Sequence, residues 1–285
     1  MAQRRGFTLA EIMVALTLML IVSGAVYKLL ITTQRVSRDQ AQRVNLQSNV
    51  RISSLAVLND LREIGTFTGG TGDRNDILSI SPGAISYRAM RGAGFLCAAP
   101  TVTEVRISRN SFSGYRDPQP GRDAFYVFLD GDPDTETDDA WLPVAIAGVS
   151  TAQACTGGLG NGITLTTPET PALAALAVGT PVRLYEVMEL ALHQADGKSW
   201  LGARSISGGE AIQPVLGPLA EENGLQFDYL DAAGAATADR SAIKSIRVTI
   251  RALSEGPVHA GLDGRLTQVQ EELVTQVALR NSFRP

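Results

Sequence analysis

The chain has 285 residues, with 25 basic and 29 acidic side chains and a net charge of −4. The basic residues form no stripe, so nothing in the sequence indicates a nucleic-acid partner. The two histidines, His193 and His259, lie outside any metal or nucleophile motif, and the glycine-rich stretches lack the lysine of a phosphate-binding loop. We therefore predict that the protein is not an enzyme.

The first element is an apolar segment behind a short basic start. Arg4 and Arg5 precede Gly6, and an almost uninterrupted apolar run covers residues 7–31. A membrane-spanning helix needs roughly 20 mainly apolar residues, so this run is long enough to cross a bilayer. Glu11 interrupts the run, and a carboxylate in hydrocarbon costs about 3 kcal/mol or more, which marks it as a functional residue.

Two ordinary interpretations of this segment compete. A secretory signal peptide could be cut at Ser23, Gly24 and Ala25, but the apolar run continues past that point to Ile31. A plain membrane anchor explains the length of the run and the two arginines, but it does not explain a carboxylate at Glu11.

The residues Gly6-Phe7-Thr8-Leu9-Ala10-Glu11 favour a third interpretation. With the basic start and the apolar run, they resemble the class III leader of type IV pilins and type II secretion pseudopilins. The resemblance implies that a prepilin peptidase cuts between Gly6 and Phe7 and methylates the new amine of Phe7. It also implies an assembly role for Glu11, the fifth residue of the mature chain.

A physical argument agrees with that role. A buried carboxylate is tolerated when a cation pairs with it, and cleavage creates a new cation at the amine of Phe7. This amine, from the same subunit or from a neighbour in a filament, would neutralise Glu11. Because a buried ion pair specifies geometry better than it stabilises, the pair would set the axial register of the subunits.

The helix is expected to continue beyond the membrane. Residues 32–64 contain no proline and no glycine, and a helix over residues 7–64 would be about 85 Å long. Leu55, Leu58, Leu61 and Ile64 form an apolar stripe, and Gly65 is a typical residue after a helix end. We therefore predict a membrane half over residues 7–31 and an amphipathic half over residues 32–64 that packs on a globular domain.

The remaining chain, residues 65–285, has the texture of a β-rich domain. A loop is expected over residues 66–76, and residues 170–179 could be either a short helix or a loop. Several runs alternate apolar and polar residues, as half-buried antiparallel strands do. The expected strands cover residues 84–89, 103–108, 124–129, 141–146, 163–166, 182–192, 199–205, 225–230, 246–252 and 272–279. The predicted fold class is α+β, a long N-terminal helix followed by an antiparallel β-rich domain outside the cytoplasm.

Two cysteines, Cys97 and Cys155, fall in this domain. In an oxidising compartment an isolated pair is most simply a disulfide, here closing a loop of nearly sixty residues, worth about 3–4 kcal/mol. The alternative is a pair of free buried thiols.

An acidic stretch over residues 130–139 suggests calcium. Its alternating carboxylates could supply the oxygen ligands that the ion prefers, and calcium is the one cofactor that the sequence suggests. The pattern departs from an EF-hand loop, because Thr135 stands where glycine is needed and Trp141 where glutamate is needed. The alternative is a solvated acidic turn between two strands. The candidate ligands are Asp130, Asp132, Asp134, Glu136 and Asp138.

A second resemblance lies at the carboxyl end. Residues 225–231, 243–250 and 277–281 are similar in order to the last strands of PilW-type minor pilins, and GspJ-type minor pseudopilins are near relatives. The resemblance implies a low-copy subunit that helps to initiate or prime a type IV pilus together with major and minor pilins. It also implies an inner-membrane location before assembly and a cell-surface or periplasmic filament afterwards. The alternatives are a type II secretion pseudopilin and, in a different class, a membrane-anchored binding or hydrolytic module.

Overall fold

The computed structural model describes residues 8–66, 75–131, 134, 139–158, 160–260 and 265–280, with the backbone alone at residues 52–56, 158 and 260. The contacts within the chain divide it into two compact units. The first contains residues 1–48 and 254–269, and the second contains residues 49–253 and 270–285.

One helix, α1, runs from Leu9 to Arg62 over 54 residues, which corresponds to about 80 Å. It confirms the predicted long N-terminal helix but ends two residues before Ile64. The chain leaves the helix because Asp76 binds the next segment: its carboxylate accepts the Gly65 N–H at 2.8 Å, and its own N–H donates to the Gly65 carbonyl at 3.1 Å. Within the described residues, the stretch Leu9–Arg51 is the one helix that is long and apolar enough to cross a membrane.

In the first unit, α1 packs against a small hairpin that the sequence did not predict. The hairpin pairs Val258–Ala260 with Arg265–Thr267, and the Ser254 N–H closes its base by donating to the Val269 carbonyl at 2.8 Å. Val258 is fully buried, and His259 Nδ1 lies 3.2 Å from Asp39 Oδ2 on the helix. Segments of three residues are too short to show a period, so sequence patterns could not reveal them.

The described residues contain sixteen strands, fourteen of them in the second unit. In chain order they are Ile77–Ser81 (β1), Ala84–Phe95 (β2), Glu104–Ser108 (β3), Ser113–Gly114 (β4), Asp123–Leu129 (β5), Ala140–Ala145 (β6), Gly148–Ser150 (β7), Gly162–Thr166 (β8), Pro181–Ala195 (β9), Lys198–Ser205 (β10), Gln213–Leu219 (β11), Leu225–Leu230 (β12), Ser245–Leu253 (β13), Val258–Ala260 (β14), Arg265–Thr267 (β15) and Gln270–Ala278 (β16). Single turns of 3-10 helix occupy Thr156–Gly158 and Pro171–Ala175, and the second of these resolves the open choice over residues 170–179.

The strands of the second unit form one large antiparallel sheet and one small sheet. The path of the large sheet is β1-β2-β9-β10-β11-β13-β12, with β4 beside β2, β5 beside β9, β6 beside β5, and β16 beside β13. The small sheet has the order β3-β8-β7. Apolar side chains from both sheets form one buried core, which includes Val105, Phe125, Ile163, Val182 and Leu184. This arrangement confirms the predicted α+β class.

The last turns of α1 cover the other part of the large sheet. Val57 and Leu58 line a gap of about 10 Å³ with Val248, Ile250 and Leu273 of β13 and β16. A gap of that size is about the smallest that holds one water, so the packing is close. Two residues of the predicted stripe are fully buried, Leu61 and Ile64. The side chain of Leu55 lies outside the described residues.

Candidate functional site

The helix begins with a capping arrangement that involves Glu11. The Glu11 carboxylate accepts hydrogen bonds from the backbone N–H of Thr8 at 2.9 Å and from its hydroxyl at 3.0 Å. In return, the Glu11 N–H lies 3.4 Å from the Thr8 hydroxyl oxygen. The first N–H groups of any helix lack partners within the helix, and this reciprocal pair satisfies one of them.

The sequence contains the signal for this cap. A Thr followed three residues later by Glu, just before an apolar run, is the signature of a capping box. Glu11 is therefore hydrogen-bonded locally, whatever its role in assembly.

Gly6 and Phe7, the predicted processing residues, lie outside the described residues. Cleavage of the Gly6–Phe7 peptide bond leaves the Thr8 N–H intact, because that N–H belongs to the peptide bond between Phe7 and Thr8.

The apolar stretch of α1 presents its large side chains outward. Those that are at least half exposed between residues 9 and 30 are Leu9, Ile12, Met13, Val14, Leu16, Leu18, Met19, Leu20, Ile21, Val22, Val26, Tyr27, Leu29 and Leu30. Its threonines return their hydroxyl hydrogens to the helix itself, as Thr17 does to the Val14 carbonyl at 2.8 Å and Thr32 to the Lys28 carbonyl at 2.9 Å. A helix that satisfies its polar groups internally and exposes only apolar surface is suited to lipid or to the core of a helical bundle.

The two cysteines form the predicted disulfide. Cys97 and Cys155 are bonded and buried, and the bridge spans 58 residues. The Thr156 hydroxyl donates to the Cys97 carbonyl at 2.8 Å, and the Cys97 N–H donates to the Arg106 carbonyl at 2.9 Å. The bridge thus ties the segment after β2 to the segment before β8.

The acidic stretch connects two paired strands. Leu129 of β5 lies opposite Ala140 of β6, so residues 130–139 form the connection of a hairpin. Asp130 and Asp134 are described, whereas the other three candidate ligands, Asp132, Glu136 and Asp138, lie outside the described residues. In the part of the chain that is described, no three His, Cys, Asp or Glu side chains are grouped to hold a metal. Calcium binding stays a prediction.

A buried carboxylate of β9 organises a cluster of arginines that the sequence analysis missed. The Glu186 side chain is 1% exposed and pairs with Arg91 Nε at 2.9 Å, Arg122 Nε at 2.5 Å and Arg116 Nη2 at 3.3 Å. Burial opposes its charged form, but the Ser205 hydroxyl and the nearby arginines outweigh burial and lower the pKa of Glu186. The cluster fixes the loop between β4 and β5 onto β9.

A second buried carboxylate, Asp76, stands between the end of α1 and β1. Besides the Gly65 N–H, it accepts the hydroxyl of Tyr126 at 3.0 Å, and Arg88 donates to that same Tyr126 oxygen at 3.0 Å. Burial raises the pKa of Asp76 to about 6, and the lowering effect of the Gly65 amide, Tyr126 and Arg88 only partly opposes this rise. This carboxylate closes the helix rather than serving a reaction, since it lies 4% exposed among structural partners.

Comparison with known proteins identifies the first part of the chain. Residues 1–27 match the family model described as the prokaryotic N-terminal methylation motif. No curated protein and no solved structure matches the chain. The matched residues include the basic start, Glu11 and most of the apolar stretch.

This match supports a type IV pilin-like protein or a pseudopilin. The motif implies processing by prepilin peptidase and assembly with other pilins, and with the exposed apolar helix it fits a membrane-anchored pilin. It indicates a structural subunit rather than an enzyme.

Proposed function

We propose that this protein is a minor pilin, a low-copy subunit that helps to initiate or prime a type IV pilus. The observation that carries the proposal is the N-terminal methylation motif over residues 1–27, followed by an unbroken helix from Leu9 to Arg62. A chain of this kind resides in the inner membrane through α1, with the β-rich part outside the cytoplasm. It leaves the bilayer when a filament forms around its helix.

Processing precedes assembly in this proposal. Prepilin peptidase cuts between Gly6 and Phe7 and methylates the amine of Phe7. The Thr8 cap holds the Glu11 carboxylate at the first turn of α1, within 3.0 Å of two Thr8 donors. These neutral donors leave the negative charge of Glu11 in place, so a cation from the mature amine of a neighbouring subunit still has a charge to neutralise.

The carboxyl-terminal block supports the PilW-type assignment. The first two segments of that resemblance fall on β12 and β13, and the third begins in the last two residues of β16. Strand β13 pairs with β12 on one side and with β16 on the other. The resemblance therefore covers one structural block rather than three scattered pieces. The pseudopilin alternative shares the leader, and deletion of the gene distinguishes the two: loss of pili supports a pilin, and loss of protein secretion supports a pseudopilin.

The mature N-terminus tests the proposal directly. Protein extracted from the native membrane is analysed by intact mass and N-terminal sequencing, with Gly6→Val as the control in which processing is expected to fail. A wild-type chain that starts at Phe7 with one added methyl group supports the proposal. A start at Met1 or Ala2 would contradict it in favour of a plain anchor, and a start near Ala25 would indicate ordinary secretion.

Glu11→Ala tests the assembly step. We expect this variant to be processed and to remain in the membrane, because removal of a charge favours insertion. It should nevertheless be lost from sheared filaments. If Glu11→Ala chains are incorporated as well as the wild type, Glu11 serves only as a helix cap.

A further inference from the structure

The helix α1 carries a group of basic side chains directly after its apolar stretch. Residues 12–48 contain one acidic side chain, Asp39, and four basic ones, Lys28, Arg35, Arg38 and Arg43. All four basic side chains are exposed, and none forms an ion pair with a described carboxylate. Lysine and arginine beside a membrane span usually lie on the cytoplasmic side, so a basic group on the outer side needs a reason.

Asp39 does not neutralise these arginines. Arg35 and Arg43 stand four residues before and after it, the spacing at which opposite charges pair along a helix. The Asp39 carboxylate instead lies 3.2 Å from Nδ1 of His259, on the hairpin formed by β14 and β15. The hairpin therefore occupies the one carboxylate of this stretch and leaves the guanidinium groups to other partners.

The hairpin runs along α1 toward the apolar end of the helix. Near its base, Gly256 lies beside Gln42, since a side chain at residue 256 would come within 3.3 Å of the Gln42 amide nitrogen. Three residues further along the hairpin, His259 lies beside Asp39, which is three residues closer to the apolar stretch. The free end of the hairpin is therefore directed toward the membrane half of α1.

The described part of that end presents a basic and an apolar side chain. Arg265 pairs with Ala260, one step beyond the pair of His259 and Leu266. Arg265 is exposed, and Leu266 is 60% exposed although it belongs to a paired strand. An exposed apolar side chain next to a basic one suits the boundary between lipid headgroups and hydrocarbon. Glu255, an exposed carboxylate, lies at the opposite end, beside the hairpin base.

The length of the apolar stretch sets the height of these groups above the bilayer. About 20 helical residues span the roughly 30 Å hydrocarbon core, so a core that begins at Thr8 ends just before Lys28. The Cα atom of Arg35 then lies about 10 Å beyond the core. Helical side chains lean toward the N-terminal end of the helix, which here lies in the membrane, so Arg35 and Arg38 reach back to the headgroup layer. Arg43 lies about 22 Å beyond the core and is too far away.

We propose that the first unit binds anionic phospholipid headgroups on the outer face of the membrane that α1 spans. Lys28, Arg35 and Arg38 of the helix and Arg265 of the hairpin bind the lipid phosphates, and Leu266 contacts the headgroup boundary. The inference rests on the proposed function for its topology, with α1 across the membrane and the β-rich part outside. The contact holds the subunit in the membrane until assembly withdraws the helix.

Lipid preference is measured by native mass spectrometry of the full-length chain, released from neutral detergent micelles that contain equimolar phosphatidylglycerol and phosphatidylcholine. The variants are the double substitution Arg35→Gln with Arg38→Gln, and Arg265→Gln. The matched control is Arg43→Gln, because Arg43 is an exposed arginine of the same helix that lies above the headgroup layer. Melting temperatures establish that each variant is folded.

We expect the wild type to retain phosphatidylglycerol in preference to phosphatidylcholine. A basic side chain near an anionic surface contributes about fivefold, and the double variant removes two. Because the leader arginines retain some lipid in every chain, we expect the preference to fall by at least about fivefold, with a smaller fall for Arg265→Gln and none for Arg43→Gln. An unchanged preference in the double variant, or an equal fall in the control, would overturn the proposal.

A second measurement locates the hairpin without reference to charge. Leu266→Cys supplies the one free thiol, because Cys97 and Cys155 are bonded to each other. A nitroxide on this thiol reports its depth in phosphatidylglycerol-containing vesicles through its accessibility to oxygen and to a water-soluble nickel chelate. We expect the label at headgroup depth, whereas a label at Val44→Cys, an exposed position about 24 Å beyond the core, should report water. Equal access of the nickel chelate to both labels would count against the inference.

The alternative partner is an acidic surface of a neighbouring subunit. If the double variant keeps its lipid preference and is lost from sheared filaments, the basic group binds protein and the proposal is wrong. The mature N-terminus separates this inference from the pilin assignment. A chain processed to Phe7 without lipid preference contradicts the lipid contact alone, and a lipid-preferring chain that starts at Met1 contradicts the pilin assignment alone.

Discussion

The pH dependence of stability offers a quantitative test of the closure between α1 and β1. Asp76 is 4% exposed and has a pKa of about 6, compared with an ordinary value of 3.8. Because the folded-state value is the higher one, the folded chain binds more protons than the unfolded chain between these two pH values. The contribution of Asp76 to stability is therefore fully present below pH 3.8 and is lost as the pH rises through about 6.

The size of this effect follows from the shift. The difference between about 6 and 3.8 corresponds to about 3 kcal/mol, at 1.36 kcal/mol per pKa unit. Other carboxylates act in the opposite direction, since the pKa of Glu186 is lowered and its contribution is lost as the pH falls. The pH dependence of the unfolding free energy therefore contains contributions of both signs. Only the difference between wild type and an Asp76 variant isolates the contribution of Asp76.

Asp76→Asn is the perturbation that isolates it. In the wild type, the Gly65 N–H lies 2.8 Å from the Asp76 carboxylate. An asparagine side-chain oxygen can still accept this hydrogen bond, and the amide cannot ionise. We expect the unfolding free energy of the variant, relative to wild type, to rise by about 2.4 kcal/mol between pH 4 and pH 7.5. Asp76→Ala should instead be destabilised by about 2 kcal/mol at low pH, because it leaves the buried Gly65 N–H and Tyr126 hydroxyl without an acceptor.

The assay is denaturation by guanidinium chloride in a mild detergent, followed by the fluorescence of Trp141 and Trp200 at several pH values. Asp228→Asn is the matched control, because Asp228 is a half-buried aspartate of β12 that is not enclosed as Asp76 is. Parallel pH curves for wild type and Asp76→Asn would refute the reasoning. They would mean that the pKa of Asp76 is the same in the folded and the unfolded chain.

Two further predictions concern the helix start and the disulfide. Thr8→Val removes the hydroxyl that donates to Glu11 at 3.0 Å, so we expect about 1 kcal/mol less stability in the first turn and faster hydrogen exchange at the amides of residues 10–12. Thr8→Ser is the control, and equal exchange in both variants would mean that the hydroxyl contributes nothing. Replacing Cys97 and Cys155 together with serine opens a 58-residue loop and should cost about 3–4 kcal/mol in denaturation experiments. Reduction of the wild type should give the same midpoint as the double variant, and a reduced chain as stable as the oxidised one would contradict the prediction.

Features that depend on a local pattern can be predicted from the sequence. The apolar run, the capping signature at Thr8 and Glu11, and the prepilin motif all lie within the first thirty residues, so no distant contact is needed to recognise them. Alternation in β12 and β13 was likewise visible, because side chains alternate between the two faces of a strand wherever the strand is paired. The cysteine pair was predictable because only two cysteines exist.

Contacts between residues that are distant in the sequence depend on the packing of the whole domain. Strands β1 and β11 and the hairpin of β14 and β15 lack a clear period, and they are strands because their neighbours supply the hydrogen bonds. The pairing of Arg91 with Glu186 joins residues 95 positions apart, and it depends on the register of β2 on β9 and on the bulge between Met90 and Gly92.

The same reason explains residues whose surroundings the sequence did not reveal. Asp76 looks like an ordinary loop aspartate until the fold encloses it, and Arg183 looks like a surface arginine until Trp141 comes to lie under its guanidinium. Burial sets the pKa of Asp76, and burial is a property of the packed chain. Local sequence determines the periodicity of apolar residues along each element. The register between strands determines which distant side chains are in contact.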